Sequence, residues 1–271
     1  MGNDAVKITL QGTFSSENIK ALSEKLKGST AESAAEITID MSEAIPSETT
    51  SNYWYAGYSK KFFKIEDSGI VLGDVFSDSK IASIVLPTNL YMLNYGAFRN
   101  CTYLQSVQLP PAARILGNYS FSGCSALESI TIPDGVIQIG NYAFEGCVGL
   151  NAVRIPDTVT NSTIISSNDI AGQGLGMFSG CINLREIALS VGMTALHQNM
   201  FRGCTNLKSI QIPSAVTYIN LYAFNKCDNL TDVLFENTVG WRTRKGTLLT
   251  VTDSKQNATR LKNSDSDWLR D

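Results

Sequence analysis

The chain has 271 residues, enough for one or two domains, and its hydrophobic content of 43% excludes wholesale disorder. Only 17% of the residues are charged and the net charge is −3, which excludes a basic surface of the kind that binds nucleic acid. A single histidine leaves few options for acid–base catalysis.

The first predicted unit, residues 1–45, is a β-α-β cap. Residues 5–14 alternate between apolar and polar side chains, as a half-buried strand does. Ser15 or Ser16 can cap a following helix, whose apolar face holds three residues at helical spacing: Ile19, Leu22 and Leu26. Residues 36–41 alternate again and are predicted to form the next strand. Such a cap would shield the end of a repeat array from water.

Residues 46–80 are predicted to hold one degenerate repeat and an aromatic segment. Ile37 and Ile84 lie 47 residues apart, which is two of the 23-residue periods found downstream plus one residue. The range 63–65 is the candidate strand of this repeat, the range 73–76 its turn, and Ser79 stands where later repeats have cysteine. The range 53–63 contains six aromatic residues: Tyr53, Trp54, Tyr55, Tyr58, Phe62 and Phe63. These aromatic residues either plug the end of the array or form an exposed recognition patch.

Residues 81–232 are predicted to form six repeats of 23 residues. The six cysteines, Cys101, Cys124, Cys147, Cys181, Cys204 and Cys227, are spaced by 23, 23, 34, 23 and 23 residues. Phenylalanine stands three residues before each cysteine and leucine three residues after it. A fixed period of this length is the signature of a solenoid. The one longer spacing indicates an insertion of 11 residues near 161–171.

Each repeat contains one predicted strand and two predicted turn positions. The segment [VI]-x-[LIF] after the leucine alternates with period two, so one strand per repeat gives a parallel sheet. Residues suited to positive φ recur at one position, which suggests a left-handed turn: Asn94, Gly117, Gly140, Gly174, His197 and Asn220. The residue before each cysteine suggests a second such position: Asn100, Gly123, Gly146, Gly180, Gly203 and Lys226. One short helical turn fits between the two.

Residues 233–271 are predicted to form a last strand and a C-terminal cap. Asp253 or Ser254 can cap a helix that carries Ala258 and Leu261 on its apolar face. A cap is needed here for the same reason as at the other end of the array.

The repeat pattern resembles that of the BspA-type leucine-rich repeats of bacterial surface proteins. The copy from Ile132 to Leu150 follows I-P-x-x-V-x-x-I-G-x-x-A-F-x-x-C-x-x-L, and the resemblance covers residues 81–235. It implies an α/β solenoid, a curved right-handed array with a parallel β-sheet on the concave face and short helical turns on the convex side. It also implies export and a role in adhesion or protein binding, and it carries over no catalytic residues.

The cysteines, the histidine and the glycines each permit a second interpretation. The six cysteines could form three disulfides, but equivalent positions have parallel Cα–Cβ vectors, so we expect buried free thiols. A zinc site is disfavoured because no C-x-x-C pair accompanies them. We interpret His197 as a turn residue and the range 172–176 as a loop, not as a catalytic base or a phosphate-binding loop. We therefore predict no catalytic residue, metal site or cofactor.

The predicted concave face is the candidate binding surface. Its outward strand residues are mostly small and uncharged, and we select Val85, Gln108, Thr131, Arg154 and Gln211. The aromatic anchors Tyr53, Trp54, Tyr55, Tyr58 and Phe62 are expected to adjoin the first three. The insertion at 161–171 is either a binding loop or a tolerated addition.

We expect a non-enzymatic, adhesin-like module whose partner is a protein, such as a host, matrix or neighbouring-cell surface protein. A structural scaffold or self-associating repeat protein is the alternative, and either would be a monomer or a weak homo-oligomer. No apolar run approaches the roughly 18 residues of a membrane span. The polar start of the sequence lacks the features of a secretion signal, which fits a cytoplasmic protein or a mature form without its leader. Export to the cell surface, periplasm or exterior follows from the resemblance alone.

Overall fold

The computed structural model describes residues 6–27, 37–46, 48–49, 63–66, 69–160, 175–264 and 266–270. Its elements in chain order are β1 Val6–Phe14, α1 Ser16–Lys27, β2 Ile37–Pro46, β3 Glu48–Thr49, β4 Phe63–Glu66, β5 Gly69–Leu72, β6 Ser83–Val85, β7 Leu90–Leu93, β8 Ser106–Gln108, β9 Ile115–Leu116, β10 Gln138–Ile139, β11 Ala152–Arg154, β12 Glu186–Ala188, β13 Ala195–Leu196, β14 Ser209–Ile212, β15 Tyr218–Ile219, β16 Asp232–Phe235, β17 Trp241–Thr243, α2 Ser254–Lys262 and β18 Trp268–Arg270.

The predicted strands form a parallel sheet, which we call the main sheet. Strands β1, β2, β6 and β8 pair in that order, β11 pairs with β12, and β14 pairs with β16. An isolated bridge joins Ser129 to Ala152, at the place where the fourth repeat has no assigned strand. Equivalent residues of neighbouring repeats lie side by side, as with Ile84 beside Val107. The period in the sequence is therefore the period of the fold, and the predicted solenoid is confirmed.

Stacked phenylalanines run through the core. Neighbouring ring centroids are 5.4 to 5.9 Å apart and the ring planes differ by at most 20°. All seven rings are fully buried: Phe76, Phe98, Phe121, Phe144, Phe178, Phe201 and Phe224. No single repeat could bury such a ring, so each repeat depends on its neighbours for its core.

A second sheet, which the sequence did not predict, lies on the other side of each repeat. Strands β10, β9, β7, β5, β4 and β3 pair in that order, and β13, β15, β18 and β17 form a separate group. Its core-facing row is formed by an apolar residue that recurs in each repeat, as with Leu93 beside Leu116, both of which are buried. These strands are two to four residues long, too short to show an alternating pattern.

The predicted degenerate repeat needs a correction. Strand β2 pairs directly with β6, with Thr38 beside Ser83, so no further strand lies between them in the main sheet. The candidate strand at 63–65 exists as β4, but it runs antiparallel to β5 in the second sheet. The span from Ile37 to Ile84 therefore holds one main-sheet repeat and not two, and its length of 47 residues does not distinguish these alternatives. The turn near 76 and the role of Ser79 are confirmed, since Phe76 stacks on Phe98 and Ser79 Oγ lies 3.5 Å from Cys101 Sγ. The bounds of the other segments stay a prediction.

The first predicted left-handed position is also wrong. Positive φ occurs two residues later, at Gly96, Tyr119, Tyr142, Gly176 and Asn199. Gly117 and Gly140 are needed for a different reason, because a Cβ at either would lie within 2.8 Å of backbone atoms of the preceding repeat. Glycine is required at these positions because the backbone of the preceding repeat lies close, and not because of φ. Gly174 lies outside the described residues. The second predicted position, before each cysteine, is confirmed at all six repeats.

Both predicted caps carry the expected helices. Ser15 Oγ accepts a hydrogen bond from the Asn18 amide at 3.2 Å at the start of α1. Asp253 caps α2 by accepting from the amides of Lys255 and Gln256, both at 3.0 Å. In α2 the buried Asn257 Nδ2 donates to Val233 O at 3.0 Å, which satisfies a carbonyl of the last strand, β16. The helix therefore closes this end of the main sheet.

Candidate protein-binding face

The outward side of the main sheet carries two rows of side chains. Residues two apart on each strand point the same way, and strand pairing aligns them from β1 through β8, from β11 to β12 and from β14 to β16. The first row is Thr9, Asp40, Val85, Gln108, Thr131, Arg154, Ala188, Gln211 and Leu234. The second row is Lys7, Thr38, Ser83, Ser106, Ser129, Ala152, Glu186, Ser209 and Asp232.

The five strand residues selected from the sequence all lie in the first row and are exposed. Two apolar members of this row, Val85 and Leu234, are 40% and 52% exposed. Gln211 Nε2 donates to Glu236 Oε1 at 2.7 Å, which holds the amide in place near the last strand. The row continues past Val85 to Asp40 and Thr9, so the cap extends the surface instead of ending it.

A shallow depression of about 410 Å³ lies on β11 and β12. Two small side chains, Ala152 and Ala188, form its floor. Ala152 lies beside Glu186 and Ala188 beside Arg154, so the two alanines and the two charged residues occupy opposite diagonals. Ile187 also lines it and is only half-buried, whereas its equivalents in the other repeats are buried. The next strand, β14, belongs to a separate hydrogen-bonded sheet, so the sheet is interrupted beside the depression. The signal in the sequence for this depression is the pair of alanines, Ala152 and Ala188, at row positions where the other repeats have polar or larger side chains.

Opposite charges flank this depression. Arg154 Nη1 lies 2.6 Å from Asp134 Oδ1, and Arg154 Nη2 lies 3.6 Å from Asp157 Oδ2. The hydrogen bond with Asp134 raises the pKa of the Arg154 guanidinium. Glu186, on the neighbouring strand, makes no ion pair with another described residue. The depression can therefore offer an oriented cation, a carboxylate and an apolar floor to one partner side chain or segment.

The cysteines are structural. All six are free and buried, which confirms the expectation of unpaired thiols. Each thiol donates to the backbone carbonyl of the phenylalanine in the preceding repeat, with Sγ···O distances of 2.9 to 3.1 Å. Burial raises the pKa of Cys101, Cys147 and Cys227 to about 12. The thiols therefore stay protonated as donors and are poor nucleophiles in the folded protein.

His197 lies in a turn beside the second sheet. Its Nε2 atom is buried and has no hydrogen-bond partner among the described residues. Burial lowers the pKa of the imidazole, so the ring is neutral near pH 7. Within the described ranges, no three His, Cys, Asp or Glu side chains gather as metal ligands.

The aromatic anchors and the insertion are not placed. Tyr53, Trp54, Tyr55, Tyr58 and Phe62 lie outside the described residues, and so do residues 161–174. The backbone on either side of the aromatic segment is described, and both β3 and β4 belong to the second sheet. The expected contact between these aromatic residues and Val85, Gln108 and Thr131 therefore stays a prediction.

Comparison with known proteins decides the family. The family model described as "BspA type Leucine rich repeat region" matches in six copies over residues 70–168 and 161–243, more than half of the chain. This chain belongs to the BspA-type leucine-rich repeat family. The BspA-type repeat is a solenoid fold of general use in protein interaction.

Solved structures with the same fold come from several bacteria. A leucine-rich repeat protein of Bacteroides ovatus is 27% identical over 71% of this chain and 46% of its own, with a TM-score of 0.55. A leucine-rich cell surface protein of Faecalibacterium prausnitzii is 28% identical over 73% of this chain and 49% of its own, also at 0.55. The leucine-rich repeat protein of T. pallidum is 26% identical over 70% of this chain and 84% of its own, again at 0.55. This BspA-type chain spans about half the length of the first two.

The search of curated proteins found no match. Among the described residues of this BspA-type chain, neither helix is long and apolar enough to cross a bilayer.

Proposed function

We propose that this BspA-type chain is a non-enzymatic protein-binding module and that the outward side of the main sheet is its recognition surface. The observation that carries the proposal is the pair of outward rows on the main-sheet strands, with the depression near their centre, where β11 and β12 pair in register. Rigid parallel strands hold these side chains in place, and a preorganised surface loses little entropy when a partner binds.

The centre of binding in this proposal is the depression between Arg154 and Glu186. Partly exposed Ile187 adds apolar surface to the two alanines of its floor, and a bound partner would shield this surface from water. A few residues at such a shielded centre carry most of the binding energy in many interfaces. Few charges surround it along the rows, so association should depend only mildly on salt. The partner we propose is a protein at a cell surface or in a matrix, and the role is adhesion. The F. prausnitzii relative described as a cell surface protein supports that location.

The test is affinity capture with the folded chain, followed by binding measurements on matched variants. Ala188→Trp fills the depression, and Arg154→Gln removes its cation. We expect each change to weaken the captured partner by about 10-fold or more, which corresponds to about 1.4 kcal/mol. Arg202→Gln is the control, because Arg202 is also exposed but lies in a turn outside both rows.

The aromatic segment enters the same test as a separate arm. Trp54→Ala should weaken binding if the aromatic anchors contribute, and Gln108→Arg should weaken it moderately. Normal binding by Ala188→Trp and Arg154→Gln, with loss only in Arg202→Gln, would place the partner on the turn side and refute the proposal. Protease accessibility on intact source cells tests the surface location independently.

A further inference from the structure

At the two ends of the array the main sheet and the second sheet present four outermost strand edges, and three of these edges are closed. Helix α2 covers the β16 end of the main sheet through the Asn257 hydrogen bond. In the second sheet, β18 runs antiparallel to β15 and to β17 at one end. At the other end β4 turns antiparallel to β5, and the sheet finishes in β3, a strand of two residues. Short or reversed end strands are the usual protection against edge-to-edge pairing.

The fourth end, the outer edge of β1, is open. Strand β1 is nine residues long, contains no proline and pairs only with β2 on its inner side. Within the described ranges, no backbone or side-chain group bonds to its outer edge. Its one charge, Lys7, already pairs with Asp40 at 3.0 Å. A long, nearly uncharged strand with a free row of amides and carbonyls is a template for another strand.

The core is also incomplete at this end. Ile39 and Ile84, which continue the core-facing row from β1, are 0% and 2% exposed, but Ile8 at its end is only partly buried. Phe14 and Leu22 are partly buried as well. One more strand with apolar residues toward the core would complete the burial of Ile8 and supply the missing backbone partners.

We propose that the outer edge of β1 is a homodimer interface, at which β1 of a second copy adds antiparallel. The main sheet of another copy can be joined only through its own β1, because α2 closes the β16 end. Two identical edges pair about a two-fold axis, so the assembly closes at a dimer and does not form a filament. The occupant's pattern matches, since Ile8 and Leu10 face the core and Lys7 and Thr9 face outward on both strands.

The register follows from charge and from the paired length of β1. The pairing of β1 with β2 is regular from Val6 to Thr9 and shifts before Gln11, where β2 has one residue more than β1, so we place the new pair within residues 6–10. Centring the pair on Ile8 places Ile8 opposite its counterpart and Lys7 opposite Thr9 of the second copy. No like charges then face each other, and apolar residues meet on the core side.

The test is sedimentation velocity of the full chain over a range of concentrations. We expect the mass to rise from 29.4 kDa toward twice that value. Thr9→Lys puts a lysine opposite Lys7 of the second copy, twice in the symmetric pair, and should weaken the dimer about 10-fold or more. Asp40, beside Thr9 on β2, keeps this change tolerable within one copy. Thr131→Lys is the matched control, the same substitution in the same outward row far from β1.

Hydrogen exchange provides the second measurement and does not need a variant. Amides of residues 6–10 should exchange more slowly at high than at low concentration of the unmodified chain, and this result would support the proposal even if Thr9→Lys proved unstable. A protein that stays at 29.4 kDa up to about 1 mM, where even weak associations become visible, overturns it. A dimer that Thr9→Lys and Thr131→Lys weaken equally overturns it too. The outcome is independent of partner binding, because the depression lies on β11 and β12, far from the β1 edge.

Discussion

Replacing Phe144 by alanine removes the central ring of the phenylalanine stack. Phe144 is fully buried, and its ring centroid lies 5.4 Å from those of both Phe121 and Phe178, with ring planes within 3° of parallel. A buried Phe→Ala change costs about 3–5 kcal/mol through lost transfer energy and the cavity left behind. Two close ring contacts place this site near the upper end of that range.

The last ring of the stack provides the matched comparison. Phe224 is equally buried but stacks on only one ring, that of Phe201, at 5.4 Å. Losing one ring contact instead of two should make Phe224→Ala less costly by about 0.5–1.5 kcal/mol. Both changes are identical in chemistry, so the difference reports the stacking alone.

Thermal denaturation followed by circular dichroism is the assay. With an unfolding entropy of about 2.1 cal/mol/K per residue, a loss of 4 kcal/mol corresponds to a fall in Tm of about 7 °C for a chain of this length. We expect a lower midpoint for Phe144→Ala than for Phe224→Ala, and both below the unmodified chain. A Phe144→Ala variant within about 1 kcal/mol of the unmodified chain would refute a core held by stacked rings.

Three further predictions concern the thiols, the C-terminal cap and acid stability. All six cysteines should react with a thiol reagent after unfolding without reductant, and none should react in the folded chain even at pH 9, because burial holds their pKa values far above that; fewer than six would reveal a disulfide. Asn257→Ala leaves the carbonyls of Val233 and Val251 without their donor and should lower the free energy of unfolding by about 1–3 kcal/mol in thermal denaturation. Replacing an exposed asparagine would have a smaller effect. Hydrogen bonds from Ser42, with help from Lys7, lower the pKa of Asp40 from 3.8 to about 2, so its stabilising contribution is present above pH 4 and is lost as pH falls toward 2; Asp40→Asn should flatten acid unfolding in that interval.

The repeated side chains made most of the fold predictable. Phenylalanine, cysteine and leucine recur at fixed offsets because equivalent positions stack on one another, and a stacked core tolerates little variation. The cap helices could be predicted because Ser15 and Asp253 have a local role that sequence neighbours reveal. The thiol hydrogen bonds could not, since the acceptor of Cys147 is a backbone carbonyl 26 residues away, and any residue type would supply it.

The predictions that were wrong are those that rested on residue spacing or residue type alone. The 47 residues from Ile37 to Ile84 fit one long repeat or two shorter ones, and only the pairing of Thr38 with Ser83 separates these alternatives. The glycine at position 140 suggests a positive φ from the sequence. In the structure it is needed because backbone atoms of the preceding repeat lie too close for any Cβ. The candidate face was predicted residue by residue, but the depression arises from how Ala152 and Ala188 lie between larger neighbours on two strands. Such a shape is a property of the register and not of either residue.

The direction of the main-sheet hydrogen bonds has a mechanical consequence. These bonds join one repeat to the next, so they point along the length of the array. Tension applied between the two ends of the array would load these bonds in series, and the repeats would separate one after another, beginning at the weakest junction. Each repeat released would add about 75 Å of extended chain, at about 3.3 Å for each of its residues. A protein built in this way would lengthen in steps under tension, and the force would stay nearly constant while it did so.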